Sequence, residues 1–285
     1  MPDLSTMQME NGFVDLHIHS SYSDGLLNPR QIVELAHQRR LTAIAITDHD
    51  SVAGVREAIE WGTATGIQIV SGIEVSILFE ECEVHLLGYF IDPESSAVLH
   101  YVSLLSESRE NRARQIVDVL KKQGIPISFD LISKKANGAP IGRPHIAEVL
   151  VEEGYVFSAY EAFQKYLGEK RPADIPKFNV GLQKAIEIIR EAGGLVFLAH
   201  PATISCFQQL FPVLLDHGLD GIETIHPKHN AELQLHFRGI AKAHGLLQSG
   251  GSDCHGGRDG KLLLGMLDVP QSYYREMHDK WLTRR

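Results

Sequence analysis

Histidine and carboxylate residues with the spacing of metal ligands recur along this 285-residue chain. His17 and His19 lie two residues apart at the end of an alternating apolar segment. On a strand their imidazoles would point the same way, so both could bind one ion. Asp253 and His255 repeat this spacing near the other end of the chain. The remaining candidate ligands are Asp24, His49, Glu74, His85 and His200.

These nine residues offer imidazole and carboxylate groups and no thiolates. Such a set is typical of Mn²⁺, Zn²⁺ or Fe²⁺ and not of a Cys-rich structural zinc site. Nine ligands are too many for one ion, so we expect two or three divalent ions. Ions grouped in this way can activate water and neutralise phosphate charge. Ligating imidazoles also need a supporting acceptor, and Asp48, next to His49, is the candidate for that role.

Most of the candidate ligands come at or near the ends of short apolar segments that predict β-strands. The segment 42–47 is almost continuously apolar, which predicts burial on both faces, as in a parallel sheet. Predicted helices separate most of the strands, in roughly seven βα-like units, which indicates an α/β barrel or a distorted version of one. The predicted strands are 13–18, 42–47, 67–75, 83–91, 195–199, 221–225 and 246–249.

The alternation of strand and helix stops after the fourth predicted strand. Residues 95–122 predict one long helix, and the following residues to about 179 are helical and interrupted by Gly and Pro. We therefore expect a helical cap, 104–178, inserted between two parts of the barrel, 1–103 and 179–285.

Composition and charge exclude several classes of function. The formal charge is −9 and no basic stripe is present, so we expect no stable DNA binding, whereas a short nucleotide held by metal ions fits. Three cysteines argue for a reducing compartment and against a disulfide framework. The N-terminus lacks the pattern of a signal peptide, and no apolar segment has the length of a membrane span. We expect a cytoplasmic protein, and the sequence does not indicate its oligomeric state.

Five motifs of the chain resemble the PHP family, named for its polymerase and histidinol-phosphatase members. They are His17-Ile18-His19-Ser20, Thr47-Asp48-His49-Asp50, Gly72-Ile73-Glu74, Ala199-His200-Pro201 and Gly251-Ser252-Asp253-Cys254-His255. Within the insertion, segments 141–147 and 166–168 resemble the bacterial 3′,5′-nucleoside bisphosphate phosphatase branch, which also includes 5′→3′ exonucleases on short RNA.

The resemblance implies a distorted (β/α)₇ TIM-like barrel, the PHP fold, with a helical cap and a trinuclear centre in which Mn²⁺ is expected. One ion would be held by His17, His19, Glu74 and Asp253. A second would be held by Glu74, His85 and His200, and a third by Asp24, His49 and His255.

A phosphate substrate also needs cations and proton donors from the protein. Arg143 is the leading candidate, because a guanidinium can grip phosphate with two parallel hydrogen bonds. His226 or His229, after a predicted barrel strand, could protonate the leaving oxygen. Cys254 is not expected to act as a nucleophile, because its side chain should face away from its two ligand neighbours. Further candidates for substrate binding are His145, Lys170, Arg171, Lys177 and His229.

The expected reaction is hydrolysis of the 3′-phosphate of a nucleoside 3′,5′-bisphosphate, such as adenosine 3′,5′-bisphosphate, by a metal-bound hydroxide. Two alternatives use the same chemistry, namely 5′→3′ exonuclease action on short RNA and histidinol-phosphate hydrolysis. A non-catalytic metal-binding regulatory module, like those attached to polymerases, is the alternative from a different class. The intact set of ligands argues against that last interpretation.

Overall fold

A computed structural model describes residues 12–176, 178, 180–258 and 260–284 of the chain. The chain divides into two compact units, Met1–His100 with Val180–Arg285 and Tyr101–Asn179. Lys177, one of the candidates for substrate binding, lies outside the described residues. No helix within the described part is both long and apolar enough to span a membrane.

The first unit is built around one eight-stranded sheet in the order β7-β6-β5-β4-β3-β2-β1-β8. Its strands are β1 Phe13–Ile18, β2 Leu41–Ile46, β3 Gln68–Phe79, β4 Cys82–Tyr89, β5 Leu195–Leu198, β6 Gly221–Ile225, β7 Leu247–Gly250 and β8 Val269–Pro270. Six helices belong to this unit as described: α1 Pro29–Gln38, α2 Val55–Thr65, α7 Leu182–Glu191, α8 Phe207–Asp216, α9 Ala231–His244 and α10 Gln271–Leu282, together with a 3₁₀ turn Pro201–Thr203. A further helix, α3 Ser96–Lys122, begins in this unit and continues into the second.

The second unit is helical. Most of α3 belongs to it, together with α4 Phe129–Ala136, α5 Arg143–Glu152, α6 Ala159–Ala162 and a π-helical turn Phe163–Leu167. Its own core includes Leu120, Ile146 and Leu150, all of them buried. The boundaries 103/104 and 178/179 drawn from the sequence stay a prediction.

Parallel pairing extends from β1 through β2 to β3 and from β5 through β6 to β7. The strand β2 is buried along nearly its whole length, as its apolar sequence predicts. Local signals fix the helix that follows β1. Asn28 caps α1 through its Oδ1, which accepts from the backbone N–H of Gln31, and Pro29 occupies the first turn.

The strands β3, β4 and β5 pair antiparallel, which is where the barrel departs from regular βα alternation. Phe79 pairs with Cys82 across a tight turn, so β3 continues to Phe79, beyond the end at residue 75 expected from the sequence. Glu74 therefore lies inside a strand and not at its end.

The barrel closes through the chain that follows β7. Cys254 forms a parallel bridge with Ile18, and the backbone N–H of His19 donates to the carbonyl of Cys254 (3.1 Å). This contact brings the segment that carries Asp253 and His255 against the end of β1. The α/β barrel predicted from the sequence, in distorted form, is thus confirmed.

Candidate metal centre

The structure brings the nine candidate ligands together at one end of the barrel in the first unit. Eight of them form three groups, and within each group the ligand atoms lie within 4.8 Å of one another. The ninth, His200, lies beside these groups, with its Nε2 3.0 Å from Glu74 Oε1. The groups are His17 with His19, Glu74 and Asp253; His49 with Glu74 and His85; and His19 with Asp24, His49 and His255.

Glu74 is the shared residue of this site and is fully buried. Its Oε2 lies 3.3 Å from His17 Nε2, 3.2 Å from His19 Nε2 and 3.0 Å from His49 Nδ1. Its Oε1 lies 2.9 Å from His85 Nδ1 and 3.0 Å from His200 Nε2. One carboxylate can therefore bridge two ions, one at each oxygen.

Asp253 lies opposite Glu74. Its Oδ1 is 3.5 Å from His17 Nε2 and 3.1 Å from His19 Nε2. His255 turns instead towards Asp24, with its Nε2 3.4 Å from Asp24 Oδ1. The spacing of Asp253 and His255 suggested two side chains pointing the same way, but Asp253 has φ +50°, outside the extended region. This turn of the backbone places the two side chains in different groups.

The donor set fits divalent cations. Within the described residues, His17 Nε2, both ring nitrogens of His19 and Glu74 Oε2 are buried and have no hydrogen bond of good geometry. Buried polar atoms nearly always have partners, so atoms that converge without bonding indicate a position for an ion. The same set of imidazoles and carboxylates suits Mn²⁺, Zn²⁺ or Fe²⁺.

The buried carboxylates around His17 and His19 determine the protonation of these two rings in the metal-free state. Burial lowers the pKa of His17, but the carboxylates of Glu74, Glu223 and Asp253 outweigh it and hold that pKa well above its ordinary value. Burial likewise opposes protonation of His19, but the adjacent carboxylates of Asp253 and Glu74 raise its pKa to about 10. In the metal-free protein both rings therefore hold protons that a bound ion must displace.

The pKa values of Glu74, His49 and His200 are instead lowered. Burial raises the pKa of Glu74, but the surrounding imidazoles of His49, His85 and His17 hold that pKa well below its usual range. Burial lowers the pKa of His49 and of His200, and Glu74 only partly offsets this effect. The centre thus holds anionic oxygen ligands and, in His49 and His200, two neutral imidazoles, which are the forms that bind metal ions.

Asp48 supports the loop that carries Asp24. Its Oδ1 accepts from the backbone N–H of Ser20 (2.7 Å) and from Ser23 Oγ (2.5 Å), and its Oδ2 accepts from Ser20 Oγ (2.6 Å). The sequence placed Asp48 in a supporting role through its neighbour His49. In the structure its hydrogen bonds go to the loop 20–24 instead.

Sequence reasoning missed Glu223, a fully buried carboxylate of β6. Its Oε1 lies 3.1 Å from His17 Nδ1, and its Oε2 accepts from the backbone N–H of His200 (2.7 Å). The signal was present, because Glu223 is the one charged residue of a strand that is otherwise apolar or neutral. An ionisable side chain on a barrel-strand segment is rarely buried without a partner.

Two histidines considered as acids differ in their hydrogen bonds. His226 Nδ1 accepts from the backbone N–H of Lys228 (3.1 Å), so the ring proton of neutral His226 is on Nε2, 3.3 Å from Asp253 Oδ2. His229 is the reverse, because its Nδ1–H donates to the carbonyl of Thr224 (3.1 Å). Burial lowers the pKa of His229, which favours its neutral form.

Four of the described candidates for substrate binding belong to the second unit. Arg143 opens α5, and its Nη1 donates to the carbonyl of Leu167 (3.1 Å). His145 is buried, and its Nδ1 accepts from the backbone N–H of Gly142 (3.1 Å). Lys170 and Arg171 are exposed. Their roles in binding stay a prediction.

A cavity of about 250 Å³ opens onto the ligand groups. Lys228, exposed and absent from the candidates chosen by sequence, lines this cavity together with Thr203. The rest of its lining is carboxylate and imidazole: His49, Glu74, Glu83, His85, His200, Asp253 and His255. Such a lining would repel a phosphate group unless cations neutralise it, so the cavity suits an anion only in the metal-loaded protein.

Comparisons with known proteins agree with this chemistry. The family model of the PHP domain matches residues 15–170. A 3′,5′-nucleoside bisphosphate phosphatase of Chromobacterium violaceum is 35% identical over 255 residues, which cover 86% of this chain and 90% of that protein. The 5′-3′ exoribonuclease Rnm of Salmonella typhimurium is 32% identical over 247 residues, which cover 85% of this chain and 84% of that protein. A solved structure from Bifidobacterium adolescentis, assigned to the metal-dependent phosphoesterases, matches with a TM-score of 0.85 and 31% identity over 96% of both chains.

Proposed function

The chain belongs to the PHP domain family and is a metal-dependent phosphoesterase, and within that class we propose that it removes the 3′-phosphate of nucleoside 3′,5′-bisphosphates. The observation that carries the proposal is the cavity over the ligand groups, where Lys228 offers a cation beside the carboxylates and imidazoles. A substrate with two phosphates could place one at the ions and the other at Lys228. The phosphatase of Chromobacterium violaceum supports the same substrate class.

We propose that the protein binds two or three divalent cations, with Mn²⁺ as the expected metal. His17, His19, Glu74 and Asp253 would hold one of them. Bound cations would supply Lewis acidity, which activates water at neutral pH and offsets the charge that develops on the phosphoryl oxygens. The protein keeps these ligands in place and limits access of bulk water through the buried walls of the barrel.

The remaining polar groups orient the substrate and handle its proton. Lys228 holds an anionic group at the cavity, and Arg143 is proposed to grip phosphate through its remaining guanidinium donors. We assign protonation of the leaving oxygen to His226 and not to His229. The Nε2–H of His226 lies at Asp253 in the cavity wall, whereas the ring proton of His229 is held by the carbonyl of Thr224.

A substrate panel in the presence of Mn²⁺ tests this function. We expect kcat/KM for adenosine 3′,5′-bisphosphate to exceed the values for histidinol phosphate and for a short 5′-phosphorylated RNA. Chromatography of the product should give the 5′-monophosphate, which identifies the 3′-phosphate as the group removed. A higher kcat/KM on the RNA would contradict the proposal and favour exonuclease action, the second candidate, which the similarity to Rnm supports.

The variant Lys228→Ala tests whether Lys228 binds the phosphate that is not hydrolysed. We expect it to raise KM for the bisphosphate by roughly tenfold, because a charge-assisted hydrogen bond contributes about 1.5–3 kcal/mol. The KM for a nucleoside 3′-monophosphate should change little. Lys184→Ala is the matched control, since Lys184 lies on the exposed side of α7 and pairs with Glu187 (3.4 Å). Equal effects of Lys228→Ala on both substrates would overturn the assignment of Lys228.

A further inference from the structure

Glu223 contacts two candidate ligands from a third strand and is not itself a member of a ligand group. It is 0% exposed, so its charge has no contact with bulk water. A buried carboxylate is costly unless its oxygens are fully used. Here each oxygen has a different ligand as its partner, the side chain of His17 and the backbone of His200.

The contact with His17 selects one tautomer of the imidazole. A carboxylate can only accept, so His17 Nδ1 carries the proton that it donates to Glu223 Oε1. In neutral His17 the lone pair is then on Nε2. That atom faces Glu74 Oε2 (3.3 Å) and Asp253 Oδ1 (3.5 Å), so it is the atom that can bind an ion.

The contact with His200 holds a backbone conformation that L-residues rarely adopt. His200 has φ +27° and ψ +59°, directly after β5. Its backbone N–H donates to Glu223 Oε2 at 2.7 Å, and its ring Nε2 lies 3.0 Å from Glu74 Oε1. A strained backbone persists only where the surrounding structure determines it, and this hydrogen bond is one such determinant.

We propose that Glu223 is a positioning residue that prepares the two ligand groups that share Glu74. It fixes the tautomer of His17, a member of the first, and the backbone of His200, whose Nε2 lies 3.0 Å from the same Glu74 oxygen that His85 of the second approaches. It connects β6 to ligands on β1 and after β5. The remaining group, His19 with Asp24, His49 and His255, has no hydrogen bond to Glu223 within the described residues and has its own support in Asp48. The inference rests on the metal centre and not on the choice of nucleotide substrate.

The variant Glu223→Gln tests the proposal sharply. Its single side-chain oxygen should stay with the N–H of His200, because that group can only donate. The amide NH₂ then faces His17 Nδ1, which can accept only in the tautomer that carries its proton on Nε2. We expect the Kd for Mn²⁺ alone at the two dependent groups to rise by about 10–100-fold, while the third group keeps its affinity.

Titration with Mn²⁺ and detection of the free ion measures this difference without any substrate, so failure of the bisphosphate assay would not affect the result. Asp220→Asn is the matched control. Asp220 is a buried carboxylate just before β6 whose Oδ2 accepts from the backbone N–H of Val196 (2.8 Å) and pairs with Arg190 (2.5 Å), outside the ligand groups. We expect this variant to bind Mn²⁺ with the affinity of the unmodified protein.

Asp48→Asn provides the complementary case, because it should weaken the third group and leave the other two. If Glu223→Gln binds every ion with unchanged affinity, or if Asp220→Asn reduces binding equally, Glu223 has no positioning role. A measurement that requires no variant gives a second test. In the Zn²⁺-loaded protein, the ¹⁵N chemical shifts of His17 should show a proton on Nδ1 and the metal on Nε2, and the opposite assignment would overturn the proposal.

Discussion

At the scale of single residues, the positions of ring protons decide what each histidine can do. His226 and His229 lie three residues apart after β6 and have opposite tautomers in their neutral forms. The difference arises because one Nδ1 faces a backbone N–H and the other faces a carbonyl oxygen. Only His226 keeps a ring proton directed towards the ligand carboxylate Asp253.

This difference predicts the effect of removing each ring. His226→Asn should lower kcat/KM for adenosine 3′,5′-bisphosphate by about 10²–10⁴-fold, the usual contribution of general acid catalysis. With p-nitrophenyl phosphate the loss should be much smaller, because that leaving oxygen needs no proton. Steady-state kinetics on both substrates measure the contrast. An equal loss on both would show that His226 acts only by positioning Asp253, and His229→Asn serves as the comparison with a small loss on both.

At the scale of elements, the segment after β7 decides whether the barrel can close around its ligands. Gly251 comes so close to β1 that a Cβ atom there would lie 2.4 Å from the backbone nitrogen of His17. The backbone carbonyl of Cys254 then accepts from His19 (3.1 Å). Close packing of two backbones therefore brings the Asp253 segment within reach of the His17 and His19 side chains.

Gly251→Ala should separate these two segments. We expect a loss of about 1–3 kcal/mol in the free energy of unfolding, which is typical of overpacking against atoms that cannot move aside. We also expect weaker Mn²⁺ binding at the His17 group. Urea unfolding in the presence of a chelator measures the first effect. Gly239→Ala, in α9 with no atom within 4 Å of the added Cβ, should instead stabilise by about 0.5–1 kcal/mol. Similar values for both variants would contradict this account of closure.

At the scale of the whole molecule, the metal centre couples folding to pH and to metal concentration. The pKa of His19 in the folded metal-free protein is about 10, above the ordinary value of 6.5. Its contribution to metal-free stability is therefore complete below pH 6.5 and is lost as the pH rises towards 10. A metal ion competes with this proton, so its affinity increases over the same range.

We therefore expect Mn²⁺ to raise the melting temperature, and to raise it more at pH 8.5 than at pH 6.5. An ion at 100 times its Kd contributes about 2.7 kcal/mol per site, and 1 kcal/mol shifts Tm by about 2–4 °C in a chain of this size class. Differential scanning calorimetry with Mn²⁺ and with EDTA measures both effects. His19→Asn should remove most of the shift. A shift that is absent, or that shrinks with increasing pH, would be inconsistent with the proton competition described here.

The sequence by itself determined the types of the ligands and most of the elements that carry them. Alternation and apolar segments are local properties, so they placed His17 at the end of β1 and predicted β2 within one residue of its observed bounds. The long helix α3, expected over 95–122 and observed over Ser96–Lys122, was equally local. A hairpin such as β3–β4 was predicted less well, because the extent of pairing depends on the partner strand.

Only the tertiary structure decided which side chains support the ligands. Glu223 and His17 are 206 residues apart in sequence, and their contact depends on the packing of β6 beside the ligands of other strands. The partners of Asp48, the tautomers of His226 and His229 and the exposure of Lys228 to the cavity depend likewise on long-range contacts. The identity of a residue restricts the chemistry that it can perform. Hydrogen bonds act over only about 3 Å, so the role that the residue takes depends on its neighbours in space.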